Sequence, residues 1–508
     1  MKHSPKTRQV FLNFSSSMIK APFTVILGLV STPLLLKWLG DDRVGLFKIL
    51  LETIAYIGLM ELGLSFGLLN ILAKACGSDA PSEAKKVMQV SILAYVKVLP
   101  LMLLCSGILF YFMPKIIHIQ AGLLPEVLWC FVLIMLSYVF LPLSPFRMLL
   151  EVKQRADIVN MIMLTQVILL TAGNLFFAHL GYGLVGQGAA YLFALSITYI
   201  LFYTFGVRYL DRPFQGISVA GAYKEIREQL WQARTKSFLL QVFNTLSVYT
   251  DNVVVGIVLL PKMVVPFILT QKLALLAQVQ LNGVGNSAWA PVVDFFHKGE
   301  IENFRSKLLE TNKIIVILGM SAMVSIALFN QHFLKLWVGD TYYGGPWLNY
   351  GVCLFVILNA IISFWGWIFV ATGNLGSQIF PTIGGSLINI TVSIILTMKI
   401  GIAGPILGSL IAIMFTGPWY LFVLLHHRLK IPPGRCLMSV FPGLIMGGVI
   451  IYLGEKLLNH FTLPMNWFFL AFYMITLSMF TLISFYLLLL SKNEKKIWWL
   501  RIRGFIKK

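Results

Sequence analysis

Runs of about 20 apolar residues, the length that crosses roughly 30 Å of hydrocarbon as a helix, recur along the whole of this 508-residue chain. Inside lipid a backbone has to satisfy its own N–H and C=O groups, and an apolar run of that length does so as a helix. Fourteen spans are read, at 14–38, 45–73, 88–113, 122–146, 157–179, 183–207, 235–259, 263–287, 313–337, 348–372, 377–399, 402–425, 437–457 and 466–490. With 58% hydrophobic and 12% charged residues, there is too little charge to clothe a soluble surface of this size. The expected class is an all-α polytopic membrane protein of about 14 transmembrane helices.

A net charge of +20 invites a nucleic-acid reading, but its distribution argues for a membrane. With the N-terminus inside, 29 of the 40 Lys+Arg fall on the cytoplasmic side. Seven face outside (Lys37, Arg43, Lys115, Lys262, Lys335, Lys399 and Lys456), and four lie within spans. Both termini are therefore expected in the cytoplasm, and no nucleic-acid partner is expected. The first apolar run is too long for a cleaved signal peptide and lacks a small-residue cleavage site, so it reads as a retained helix. Cys76, Cys105, Cys130, Cys353 and Cys436 show no paired spacing and suggest neither disulfides nor a zinc site.

The chain divides into an N-lobe (1–207, six spans), a cytoplasmic amphipathic linker (208–234), a C-lobe (235–430, six spans), two further spans (431–490) and a basic tail (491–508). Val219, Tyr223, Ile226 and Leu230 fall on one face of the linker, which suits a helix lying on the membrane surface. Two weak internal matches share an offset of about 220 residues: GLVGQGAAY at Gly183 with GIAGPILGS at Gly401, and 34–50 with 256–273. They make the lobes pseudo-symmetric about an axis along the membrane normal, with a cavity expected between them.

The four intramembrane cations are Lys20, Lys48, Lys97 and Lys272. Each costs about 2.5–3.5 kcal/mol near the bilayer centre and usually faces protein or water. Lys20 shares a helical stripe with Asn13, Ser16, Ser17 and Thr24, which faces a wet cavity or another helix unless Lys20 snorkels to the inner surface. Lys272 flanks a stripe of Gln271, Ala274, Gln278 and Asn282, and pairing with a buried carboxylate is its competing reading. The same bland reading applies to Lys97. Lys48 and Glu52 are four apart and able to neutralise each other. Gln241, Asn244 and Asp251 align on the seventh span, where Asp251 suits a coupling cation or a lysine partner. Two or more lysines aimed into one cavity favour an anion such as phosphate or pyrophosphate.

Other signals carry less. Gly181–Gly186 fits GxGxxG without the strand that a nucleotide site needs, and there is no Walker A sequence. His426 and His427 beside Arg428 read as an interfacial basic cluster, and the tail KNEKKIWWLRIRGFIKK suits an anionic membrane surface. A membrane-embedded polymerase or glycosyltransferase would need a large catalytic loop, and the outer loops here are short; no enzyme activity, metal or cofactor is expected.

Several stretches resemble the polysaccharide flippases of the multidrug/oligosaccharidyl-lipid/polysaccharide (MOP) exporter superfamily. ELGLSFGLLNILAKA (61–75) is similar to the family's acidic pattern ending the second helix, with Glu61 where Asp is commoner. YTDNVVVGIVLLPKMVVPFILTQKL (249–273) resembles its helix 7–8 signature, with Asp251 at the acidic position and Pro266 replacing Gly. FLKLWVGDTYY (333–343) and the GLVG and GIAG openings match in character. The resemblance implies two six-helix bundles that open alternately and move undecaprenyl-pyrophosphate-linked sugars, of O-antigen type, across the bacterial inner membrane. It implies a cationic cavity, for which Lys20, Lys48 and Lys272 are the candidates with Thr24, Gln271 and Gln278 beside them. Spans 13 and 14 would form a lipid-tail groove, as in the peptidoglycan-precursor flippases. Asp251, Asn244, Glu52, Asn389 and Thr391 are the candidates for ion coupling or charge pairing, with Na+, H+ and the membrane potential all open. Implied partners are the anionic lipid-linked glycan, membrane lipids and polysaccharide polymerase or assembly proteins. The alternative within the superfamily is a cation-coupled multidrug exporter.

Overall fold

A computed structural model describes residues 5–495 except 62–63, 78–80, 211–239, 241, 248, 461–463, 465 and 493. The linker helix expected at 208–234 falls outside the described residues beyond Leu210, as do Gln241 and the tail from residue 496. The helices are α1 (Pro5–Leu39), α2 (Asp41–Gly58), α3 (Leu64–Gly77), α4 (Pro81–Ile116), α5 (Leu124–Leu136), α6 (Ser144–Val152), α7 (Ala156–His179) and α8 (Gly183–Gly206). There follow α9 (249–258), α10 (Val264–His297), α11 (Ile301–Trp337), α12 (Pro346–Ala371), α13 (Ile379–Ile400), α14 (Gly404–Pro418), α15 (Pro433–His460) and α16 (Trp467–Leu489). No strand occurs among the described residues.

Eleven helical stretches of the described residues are long and apolar enough to cross a membrane. One of them, Gly376–Arg428, holds both α13 and α14, and the interrupted segments α2–α3 and 240–258 supply two more spans. The fold is therefore all-α and polytopic, and a count of fourteen spans fits it. The chain forms two compact units, Met1–Val265 and Pro266–Lys508.

In the first unit the N-terminal end of the polar stripe of α1 is used for packing. Asn13 accepts from the Asp157 backbone N–H at 2.8 Å and donates to the Gln154 carbonyl at 3.0 Å; Asn160 donates to Ser16 at 3.1 Å. Two of the five stripe residues, Asn13 and Ser16, thus bind the start of α7. The fourth span is not one helix. Pro142 interrupts it with a 3-10 stretch, Ser137–Leu143, and α6 restarts in a new phase after it. Helix α9, assigned to the C-lobe from sequence, packs within the first unit against α2. Four contacts in antiparallel order make the seam: Gly45 with Pro261, Ile49 with Gly256, Glu52 with Asn252 and Tyr56 with Thr250.

In the second unit α11 is the hub, carrying α12 on one side and both α15 and α16 on others. Asn312, fully buried on α11, accepts from the Trp365 indole at 3.0 Å and donates to Ser439 at 3.3 Å, tying three helices together. Asn330 donates to the Thr270 carbonyl and to Asn349 at 2.7 and 2.8 Å, joining α10, α11 and α12. The two stretches matched as repeats, at Gly183 and Gly401, open the second helices of two close hairpins. On α14 a Cβ at Gly404 or Gly408 would meet the backbone of Thr397 or Ser393; on α8 one at Gly186 would meet Phe177. Small residues let these helices approach closely where lipid gives no hydrophobic drive to associate.

The end of α16 is held to α11 by charge. Lys313 donates to both Glu494 oxygens at 2.8 and 3.0 Å, and Glu494 also accepts from the Ser491 N–H at 2.7 Å. Partial burial pushes the Glu494 carboxyl up, but the bonds from Lys313 and Ser491 outweigh it and hold the group below its usual range. A depressed folded value makes this contribution complete at neutral pH and lost as pH falls below the ordinary 4.5. In hydrogen exchange at pH 7, Lys313→Met should speed exchange of the Glu494 and Lys495 amides about threefold to tenfold. The wild type, corrected for intrinsic rates, should show the same release only below that carboxylate value. Unchanged protection in the variant would remove this ion pair as the tether.

Candidate functional site

The cations expected to bind an anion behave differently from one another. Lys20, half-buried on α1, has no hydrogen bond or ion pair from its ammonium group to any described residue. Arg147 on α6 lies within Coulombic reach of it. The Thr24 hydroxyl donates to the Lys20 carbonyl at 2.9 Å within the same helix, so Thr24 adds no free donor there. Two cations of one unit thus share a region, one of them unneutralised by protein.

Lys48 is spent differently. It pairs with Glu52 at 3.4 Å, four residues on, and Glu52 is buried while Lys48 keeps about 41% side-chain exposure. Glu52 Oε1 also accepts from Asn252 Nδ2 at 2.6 Å. A buried carboxylate held from two helices is a strut of the α2–α9 seam, and the pairing reading of Lys48 and Glu52 describes the geometry. Asn252, which has this role, stands beside Asp251 in the sequence and was passed over for it. Asp251 is partly buried and Asn244 exposed. Lys97 is exposed on α4.

On α10, Lys272 is partly buried, Gln271 is buried and donates to the Phe267 carbonyl at 3.1 Å, and Gln278 is partly buried. On α13, Asn389 is buried and donates to Ser409 on α14 at 2.7 Å, whereas Thr391 is exposed. Two residues turn a helix by about 200°, so these two do not share a face.

The described residues of the first unit also hold a cavity of about 440 Å³ that the sequence did not announce. It lies among α3, α6, α7 and α8, and its polar lining is Glu61, Ser144, Arg147, Glu151, Gln166, Thr198 and Tyr199. Arg147 pairs with Glu151 at 3.0 Å, and Tyr95 donates to Glu61 at 3.4 Å. Arg147 was counted with the cytoplasmic loop because the fourth span was ended at residue 146. The available signal was Pro142 with Pro145, which together mark a backbone break ahead of a charged turn. No group of three or more His, Cys, Asp and Glu placed to hold a metal occurs among the described residues.

Among solved structures the chain is similar to one described as lipid II flippase MurJ in an inward closed conformation. The TM-score is 0.68 at 15% identity, covering 92% of this chain and 97% of that one. It is similar also to an inward-facing multidrug resistance MATE family transporter of the MOP superfamily, with TM-score 0.65 and 15% identity over 85% of this chain and 96% of that one. An outward-facing MATE family transporter gives 0.57 at 15% identity, over 90% and 98%. No family model matches the sequence, and no curated protein does.

Proposed function

We propose, from the MOP-exporter fold that the chain shares with these structures, that it is a flippase moving a polyprenyl-pyrophosphate-linked oligosaccharide by alternating access. The membrane is the bacterial inner membrane, with both termini cytoplasmic by the lysine and arginine distribution, and the product serves cell-surface polysaccharide assembly. One observation carries the cargo's charge: the Lys20 ammonium, half-buried and without a protein partner among the described residues. An ion kept in a span without a counter-charge is costly, and an anionic headgroup relieves Lys20 of that cost. The reading involves translocation without covalent chemistry, and leaves Na+, H+ and the membrane potential as candidate drives. Polysaccharide polymerase or assembly proteins remain the partners it implies.

In cells lacking this protein, lipid-linked repeat units should accumulate on the cytoplasmic face and surface glycan should fall. Unchanged lipid pools together with lost resistance to cationic drugs would sink the flippase reading and favour the cation-coupled multidrug exporter.

A further inference from the structure

We infer that the cavity inside the first unit is a saccharide subsite, taking the sugar next to a pyrophosphate held at Lys20; this rests on the cargo reading above. The size suits it. About 440 Å³ lies in the range of small-ligand pockets, roughly 300–1,000 Å³, and accommodates one or two sugar rings.

The lining chemistry narrows the class. Arg147 is matched by Glu151 at 3.0 Å, which leaves Glu61 as the other charge on the wall. With no surplus positive charge, the cavity offers a second phosphate nothing. Planar carboxylate, guanidinium and amide groups (Glu61, Arg147, Gln166) can each engage two neighbouring hydroxyls. Leu69, Met163 and Phe202 supply apolar wall for the C–H faces of a ring. Ser144 adds an independent pointer: its Oγ is buried and has no hydrogen-bond partner among the described residues. Buried hydroxyls are ordinarily paired, and a ligand hydroxyl in this cavity would pair it. Arg147 links the two subsites, since it lines the cavity and stands within Coulombic reach of Lys20.

The test compares two probes on the purified full chain in detergent: undecaprenyl pyrophosphate alone, and the same lipid carrying a disaccharide. The wild type should bind the sugar-bearing lipid about tenfold more tightly, the effect of one or two net hydrogen bonds. Gln166→Leu and Tyr199→Phe should each erase most of that gain while holding the sugarless lipid within about twofold. Tyr199→Phe removes a single oxygen, which keeps the test valid if Gln166→Leu fails to fold. Lys20→Gln should weaken both lipids alike. Equal wild-type affinity for the two lipids overturns the subsite and leaves the cargo reading standing, as do cavity variants that weaken both lipids equally. Binding of tetraphenylphosphonium, abolished by Glu61→Gln, would overturn the subsite in favour of an organic-cation site. If the wild type binds neither lipid, the cargo reading falls and the subsite with it.

Discussion

Lys20→Glu should abolish glycan export while the protein stays at its normal abundance in the membrane. Among the described residues the lysine's ammonium bonds to no other helix and has no protein counter-charge, so replacing it removes little structure. Reversal does more than delete a donor. A carboxylate at residue 20 would also repel an anionic headgroup, so the substitution replaces an attraction with a repulsion. A hydrogen bond to a charged group is worth about 1.5–3 kcal/mol, so losing it predicts a fall of at least about tenfold in headgroup affinity, to which the repulsion adds. Lys20→Arg should retain most export, and Lys20→Gln should fall between. Accumulation of lipid-linked repeat units, measured alongside membrane abundance, checks the series. Undiminished export in the charge-reversed protein would take Lys20 out of the mechanism and remove the main support for an anionic cargo.

How much of this was legible in sequence varies by residue, for physical reasons. The spans were, because a window of about 20 apolar residues is set by bilayer thickness and survives every detail of packing. So was the Lys48–Glu52 pair, since spacing of four places two side chains together on any helix. The stripe of α1 was only half legible: periodicity finds a polar face, but not whether water or Gln154, Asp157 and Asn160 lies opposite. Asn252 hid beside Asp251 because an amide carries no charge cost, and only the α2–α9 seam shows that it holds Glu52. Arg147 was missed because a span drawn as one continuous helix ends before it. The Pro142 break inserts a 3-10 stretch, changes the phase of α6 and brings the guanidinium to the cavity wall. Long-range pairing of helices is where hydropathy alone runs out.

That pairing yields the largest expected stability change. Gly45 lies on α2 where the helix passes the turn at Pro261, and a Cβ built there stands 2.0 Å from the Pro261 carbonyl oxygen and 2.7 Å from its carbon. Neither is the flexible end of a side chain; both are backbone, in a turn fixed by proline and buried beside α2. Gly45→Ala therefore has to push α2 away from this turn. The displacement would be felt along the seam, where Ile49 packs on Gly256 and Glu52 accepts from Asn252 at 2.6 Å. Overpacking costs typically about 1–3 kcal/mol, and loosening the bond to a buried carboxylate adds to it. Gly58, later on the same helix, is the internal control because a Cβ there meets nothing within 4 Å. Alanine is favoured over glycine in a helix by about 0.5–1 kcal/mol, so Gly58→Ala should be neutral or stabilising. The two substitutions are chemically identical and lie on one helix, yet only Gly45→Ala should lower the apparent Tm, by about 2–5 °C. A Gly45→Ala protein as heat-stable as the wild type would mean that α2 and the turn at Pro261 do not meet this closely in the folded chain.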